Sequence, residues 1–261
     1  MNATALKDTA RLLYLAETEK REVERITKDY PELTVEEAYA IQEELIQLKL
    51  WDGNGIIGPK MGLTSRAKMK QMNVEEPIYG YIFEDMIVPN GGSIRMNELI
   101  HPKVEAEIAF VLGKDIEGPG VTKEKVLEAV AELIPVLEVI DSRYENFSFT
   151  LPDVIADNAS SSRVVLGEKV KMPDHFKLDE AKVSLVINGE VKEQGTGAAV
   201  VGHPANSAAM LANMLSRKKQ KLAAGSIILT GGVTGAVMLQ PGDRVSAQVE
   251  GLGDVSFSVQ S

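Results

Sequence analysis

The sequence predicts an α+β fold, with a small helical region over residues 1–54 followed by a β-rich domain over 55–261. Three observations carry that prediction. Apolar residues recur at helical spacing as far as Trp51-Asp52-Gly53-Asn54-Gly55, which breaks the pattern. Short β-like runs separated by glycines then take over. Within one of them Val104, Ala106, Ile108 and Phe110 alternate with Glu105, Glu107 and Ala109, the period-2 signature of a strand.

A first helix is expected over 3–27, where Leu6, Leu12, Leu13 and Leu15 lie among mixed charges. Thr34-Val35-Glu36-Glu37 has the capping-box pattern, and a second helix follows to about Leu50 with Ala38, Ile41, Leu45 and Leu48 on one stripe. The runs GIIGPKMGLT, IYGYIF and VEAEIAFVLG read as strands, and Met61, Met69 and Met72 as packing. A helix over 123–134, led by Thr122, is expected to end where Pro135 begins the run PVLEVID. Residues 182–193 predict a hairpin turning at Asn188-Gly189. His203-Pro204 opens a helix over about 205–218, and the strands SIILTGG, AVMLQPGDRVSAQVE and VSFSVQ close the chain.

Composition removes several function classes. With 28 basic and 38 acidic residues among 261, the formal charge of -10 argues against a nucleic-acid partner. No cysteine is present, which excludes disulfides, thiolate catalysis and Cys-ligated zinc. Residues 1–30 are charged throughout and no apolar stretch has membrane-spanning length, so the chain is expected to be cytoplasmic, with no membrane partner. His101, His175 and His203 have no metal-ligand spacing, and no G-x-S-x-G nucleophile elbow occurs. One tryptophan and 5% aromatic content leave little for sugar stacking, which weighs against a glycoside hydrolase.

The acidic residues inside apolar strands raise the sharper question. Glu105 and Glu107 project from one face of their strand, and Glu138 sits likewise in Val136-Leu137-Glu138-Val139-Ile140-Asp141. Ionised carboxylates are costly to bury unpaired, and adjacent ones repel. An all-oxygen set suits a hard divalent cation, Mg²⁺ or Mn²⁺. The competing reading has strand-edge glutamates reaching solvent or pairing with Lys or Arg, and spacing alone leaves both open.

Four motifs in order decide where the chain finds its likeness. They are Lys60-Met61-Gly62-Leu63-Thr64-Ser65, Pro102-Lys103-Val104-Glu105-Ala106-Glu107-Ile108, Glu138-Val139-Ile140-Asp141-Ser142-Arg143 and Ala156-Asp157-Asn158-Ala159-Ser160-Ser161. From about residue 5 to the end, including Gly202-His203-Pro204 and Pro241-Gly242-Asp243, the sequence resembles the hydratase/decarboxylase branch of the fumarylacetoacetate hydrolase superfamily. That resemblance implies a mixed β-roll core, a Mg²⁺ or Mn²⁺ ion held by Glu105, Glu107 and Glu138, and an active site where these strands converge.

The branch holds two activities on one scaffold: hydration of 2-hydroxypenta-2,4-dienoate, and decarboxylation of 2-oxo-3-hexenedioate to that dienoate and CO₂ in the meta-cleavage of catechols. Hydratases carry an aspartate where this chain has Ile78, in Glu76-Pro77-Ile78-Tyr79-Gly80. Together with Ser142-Arg143-Tyr144-Glu145-Asn146-Phe147 and Leu229-Thr230-Gly231-Gly232-Val233-Thr234, this likens the chain to the decarboxylase, with the hydratase as the alternative. The substrate's leaving carboxylate sits on C5, conjugated through C3=C4 to the C2 ketone. An apolar wall at Ile78 favours loss of its charge, whereas an aspartate there would repel it.

The resemblance assigns Lys60 as the catalytic cation facing the developing enolate or the substrate's carboxylate. Ser160 and Ser161 are candidate hydrogen-bond donors to substrate, against the plainer reading of a Ser-rich turn after Asp157-Asn158. Other superfamily members carry a lysine in this region, and this chain does not. Thr230 and Gly231 are candidates for binding a carboxylate, against a simple strand-end turn. Arg143 is a candidate for steering a dianion, against a structural salt bridge. Glycine-rich short strands suggest sheet edges buried in a homo-oligomer, and the branch implies a complex with the pathway hydratase.

Overall fold

The computed structural model describes residues 1–71, 74–172 and 176–261; Met72 and His175 lie outside the described residues. Helix α1 (Ala3–Glu19) is capped by Asn2, whose side chain accepts the Ala5 N–H at 2.9 Å. It stops eight residues short of the expected end because Lys20 turns left-handed (φ 54°). The segment beyond it is claimed by tertiary pairing: Val23 N–H donates to the Arg143 carbonyl at 2.8 Å, and Glu145 N–H to the Val23 carbonyl at 3.0 Å. Helix α2 (Val35–Trp51) forms with the expected capping box between Thr34 and Glu37. Buried Lys49 on α2 pairs with Glu17 of α1 at 2.6 Å, fastening the two helices side by side.

Strands β1 (Ile56–Gly62) and β2 (Ile78–Phe83) flank the short helix α3 (Arg66–Gln71), and β3 (Ile87–Val88) and β4 (Ser93–Arg95) follow. Then come β5 (Lys103–Leu112), α4 (Lys123–Ala129), β6 (Val130–Ile140), α5 (Leu151–Ala156), β7 (Ser161–Leu166), β8 (Lys182–Ile187) and β9 (Glu190–Thr196). The chain finishes with α6 (Pro204–Ser216), β10 (Ile227–Leu229), β11 (Val237–Met238), β12 (Arg244–Val249) and β13 (Gly253–Gln260). The larger sheet runs β2-β1-β10-β5-β6-β7-β3, with β11 also on β5, and the smaller runs β4-β13-β12-β8-β9.

One expected boundary fails. The helix led by Thr122 ends at Ala129, and 130–134 continue instead into β6. Leu133 and Ile134 lie opposite Phe110 and Ala109 of β5 and are fully buried, while Leu133 also exchanges backbone hydrogen bonds with Val170 (2.7 and 2.9 Å). Burial and pairing on both sides override the local helical spacing. The hairpin forms as expected, with φ of 55° at Asn188 and 83° at Gly189, the two left-handed positions of a type I′ turn. His203 caps α6 by accepting the Ala205 N–H on Nδ1 at 3.0 Å.

Strand β5 is buried on both faces, and the two faces do different work. Val104, Ala106, Ile108 and Phe110 share a core with Leu185, Ala247 and Phe257 of the smaller sheet. Ala109 and Val111 on the opposite face pack with Ile46, Phe83, Ile134 and Val164. Glu105 and Glu107 continue that second face toward the end where the apolar packing stops. Among the described residues, no helix is long and apolar enough to cross a membrane.

Candidate metal centre and active site

Register brings the three carboxylates together. Glu105 lies directly opposite Glu138 in the β5–β6 pairing, and Glu107 lies opposite Val136, one same-face position along. A carboxylate oxygen from each of the three falls within 4.8 Å of the others, and all three residues are buried. Like charges directly opposed on a sheet are destabilising unless something compensates.

Among the described residues, part of the compensation comes from Lys60 and Gly231. Lys60 of β1, 3% exposed, places Nζ 3.1 Å from Glu138 Oε1 and donates a hydrogen bond to the Ala159 carbonyl at 3.1 Å. Glu107 Oε2 accepts the Gly231 N–H at 3.0 Å. Glu107 Oε1 and both Glu138 oxygens have no hydrogen-bond partner among the described residues beyond the Lys60–Glu138 ion pair. Burial pushes Glu107 well above the usual carboxylate range, reinforced by the neighbouring Glu138 and Glu105, against the pull of Lys60 and the Gly231 amide. Burial likewise raises Glu138, with Lys60 pulling back and Glu105 pushing further. Buried acceptor oxygens that converge without enough donors fit a small oxygen-liganded dication.

The centre opens on a cavity of about 640 Å³ whose wall includes Lys60, Ile78, Glu105 and Ser160. Ile78 thus sits in the wall as an apolar side chain. Ser160 adds a buried Oγ with no hydrogen-bond partner among the described residues. Lys103, Phe147 and Phe149 also line the cavity, with Lys103 Nζ 3.9 Å from the centroid of the Phe147 ring. The motifs that include Lys103 and Phe147 gave them no role in the site, although Lys103 shares the strand face of Glu105 and Glu107 and was open to the same alternation argument.

Other expected site residues lie behind the wall. Thr230 Oγ1 donates to the Ile108 carbonyl at 2.6 Å, and Gly231 is committed to Glu107. Gly231 adopts φ 113° with its Cα against Thr64, and at Gly232 a Cβ would overlap Glu105 Oε2. The 230–232 segment therefore aims carboxylates, with only Gly232 in the cavity wall. Thr234, quoted in the 229–234 run but given no role there, accepts the Ala106 N–H on Oγ1 at 3.0 Å and ties the same loop to β5. Ser161 begins β7 opposite Ile140 and is not in the wall.

Arg143 corrects an expectation. It is 1% exposed and outside the cavity wall, with its Nε on Asp157 Oδ1, Nη1 on the carbonyls of Asp141 (2.7 Å) and Ser161 (3.0 Å), and Nη2 on the Asp157 carbonyl (2.5 Å). With four of its five N–H donors spent in this way, the guanidinium ties the end of β6 to the turn after α5 and stays outside the wall of the cavity.

A lysine-flanked trio of buried glutamates on paired strands, with Glu105 in the wall of a mostly apolar cavity, has the donor chemistry of a divalent-metal enzyme site of the carboxylate-ligand class. Residues 58–260 match the family model described as fumarylacetoacetate (FAA) hydrolase C-terminal. The chain belongs to the fumarylacetoacetate hydrolase family. It is 49% identical over 92% of its length, and 91% of the relative's, to a 4-oxalocrotonate decarboxylase of Pseudomonas putida. The 2-oxo-hept-4-ene-1,7-dioate hydratase of Escherichia coli is 38% identical over 95% of both chains. Among solved structures, a 4-oxalocrotonate decarboxylase from Pseudomonas putida G7 complexed with magnesium and adipate superposes with a TM-score of 0.97 at 44% identity, covering 99% of this chain and 98% of the other.

Proposed function

We propose that the chain is a Mg²⁺- or Mn²⁺-dependent carboxy-lyase that converts 2-oxo-3-hexenedioate (4-oxalocrotonate) to 2-hydroxypenta-2,4-dienoate and CO₂. The observation that carries this reading is the convergence of Glu105, Glu107 and Glu138, with unpartnered oxygens on Glu107 and Glu138 among the described residues, beside Lys60 at a cavity whose wall includes Glu105 and Ile78. The 49% identity to a decarboxylase of that name, against 38% to a hydratase, supports the choice within the family.

In this reading Glu105, Glu107 and Glu138 hold the ion. When bound, it supplies a Lewis acid for the substrate's C1 carboxylate and C2 oxygen. The C5–C6 bond breaks, CO₂ leaves, and its electron pair passes through C4 and C3 to the C2 oxygen. Lys60 presents its ammonium to the oxygen where that charge develops and donates a proton to it. Ile78 gives the distal carboxylate an unsolvated wall, which costs the charged ground state more than the transition state in which that charge is dispersing. Ser160 offers its hydroxyl to the substrate. Gly231 and Thr230 act indirectly by fixing Glu107 and its loop, and Ser161 and Arg143 support the turn that carries Ser160.

We further read residues 1–54 as a helical N-terminal region and 55–261 as the catalytic domain of a cytoplasmic, homo-oligomeric enzyme of aromatic meta-cleavage, working with the pathway hydratase. A paired assay tests the central reading. Purified protein receives 2-oxo-3-hexenedioate or 2-hydroxypenta-2,4-dienoate, with Mg²⁺ and again after chelation. Metal-dependent CO₂ release is expected from the first. Loss of the dienoate without CO₂ would instead make this a hydratase.

A further inference from the structure

We infer that Asn158 is a positioning residue for Lys60, acting through the backbone turn that carries Ala159. The inference rests on the reading of Lys60 as the cation facing the substrate. Asn158, Ala159 and Ser160 follow one another in the left-handed region, with φ of 49°, 52° and 56°. Asn tolerates that conformation, but the Cβ of an alanine or serine is strained in it. Three in succession persist only where the surroundings dictate them.

The Asn158 side chain does much of the dictating. Its Oδ1 accepts the Tyr81 N–H at 2.8 Å and its Nδ2 donates to the Tyr81 carbonyl at 2.9 Å, so the amide stands in for a neighbouring strand at the edge of the larger sheet formed by β2. Gly80, directly opposite Lys60 in the β1–β2 pairing, leaves room for this contact. A Cβ at Gly80 would lie 2.6 Å from the Asn158 carbonyl oxygen. From the other side, Arg143 holds Asp157. Tied at both ends, the turn crosses β2 where β2 has no side chain and delivers the Ala159 carbonyl to Lys60 Nζ at 3.1 Å. The same turn places the buried Ser160 Oγ in the cavity wall. Glu138 and Ala159 together fix the ammonium from two directions, and the second depends on Asn158.

The test compares the full-length wild type with N158A, both with Mg²⁺, on 2-oxo-3-hexenedioate. Because a misplacement of about 1 Å caused by a change away from the chemistry can cost about 100-fold, kcat is expected to fall about tenfold or more. KM and calorimetric Mg²⁺ affinity stay within about threefold, since the carboxylate ligands are untouched. N158A/A159G makes the left-handed turn easier without the anchor and regains part of the lost kcat. A merely structural role would lower the folded fraction and metal stoichiometry together and show no glycine rescue. A folded N158A with kcat within about twofold of wild type overturns the proposal. Should N158A fail to fold, G80A pushes the turn off β2 and carries the same expectation and the same overturning result. A wild type that releases no CO₂ overturns the reading of Lys60 instead. The link to Asn158 is then read by trace acylation of the Lys60 amine, which rises in N158A; unchanged labelling overturns it.

Discussion

Glu105 and Glu138 face each other directly across the β5–β6 pairing, both buried, with Glu107 one same-face position further along β5. Two carboxylates opposed in this way, with Lys60 Nζ 3.1 Å from one of them, make the acidic cluster a product of strand register.

Glu107→Gln replaces the most deeply buried carboxyl of the trio, a group whose acid form burial already favours. Turnover is expected to be lost and metal binding weakened, while the metal-free variant unfolds at or above the wild-type temperature. Wild type should gain about 2.7 kcal/mol of stability when Mg²⁺ reaches 100 times its Kd, and the variant should gain much less at the same Mg²⁺ concentration. Full activity in the variant would remove Glu107 from the ligand set.

Gly232→Ala would drive a methyl group onto Glu105 Oε2. Displacing a ligand from outside commonly costs about 10–100-fold in metal affinity, and calorimetric titration should show a loss of that order with the fold retained.

Ile78→Asp would set a negative charge in the cavity wall. At about 6 Å and an effective dielectric near 20, two unit charges repel by about 3 kcal/mol, or about two decades in kcat/KM. Ile78→Asn controls for polarity without charge and should lose less. Equal losses would refer the effect to burial of a polar group, and unchanged kinetics in both would remove Ile78 from the substrate's surroundings.

Arg143→Ala leaves Asp157 buried without its cation. Breaking such a pair costs about 3–5 kcal/mol, which urea denaturation would measure. A raised KM with unchanged stability would return Arg143 to the role of steering substrate.

His203 gives the fold a pH dependence away from the metal centre. Its Nδ1 must be unprotonated to accept the Ala205 N–H, and burial lowers its pKa below the ordinary 6.5, with Asp179 and Glu124 opposing and Lys123 reinforcing the shift. A lowered folded-state pKa means that the cap's contribution is complete above the unfolded value and is lost as pH falls through the folded one. The contribution is about 1 kcal/mol. His203→Asn keeps a cap and should flatten the stability profile between about pH 7 and pH 5. An unaltered profile would assign that dependence to other groups.

The sequence by itself determined what depends on near neighbours along the chain. Strand parity put Glu105 and Glu107 on one face, Thr34 and Glu37 closed a capping box, Asn188-Gly189 set a hairpin, and His203-Pro204 opened a helix. Each follows from backbone geometry within a few residues. Tertiary structure alone decided that Glu138 sits opposite Glu105, that residues 130–134 extend a strand, that Arg143 is enclosed, and that the 158–160 turn reaches Lys60. Those outcomes depend on register and burial between segments far apart in sequence. There, pairing and desolvation outweigh the fraction of a kilocalorie that local propensity supplies per residue.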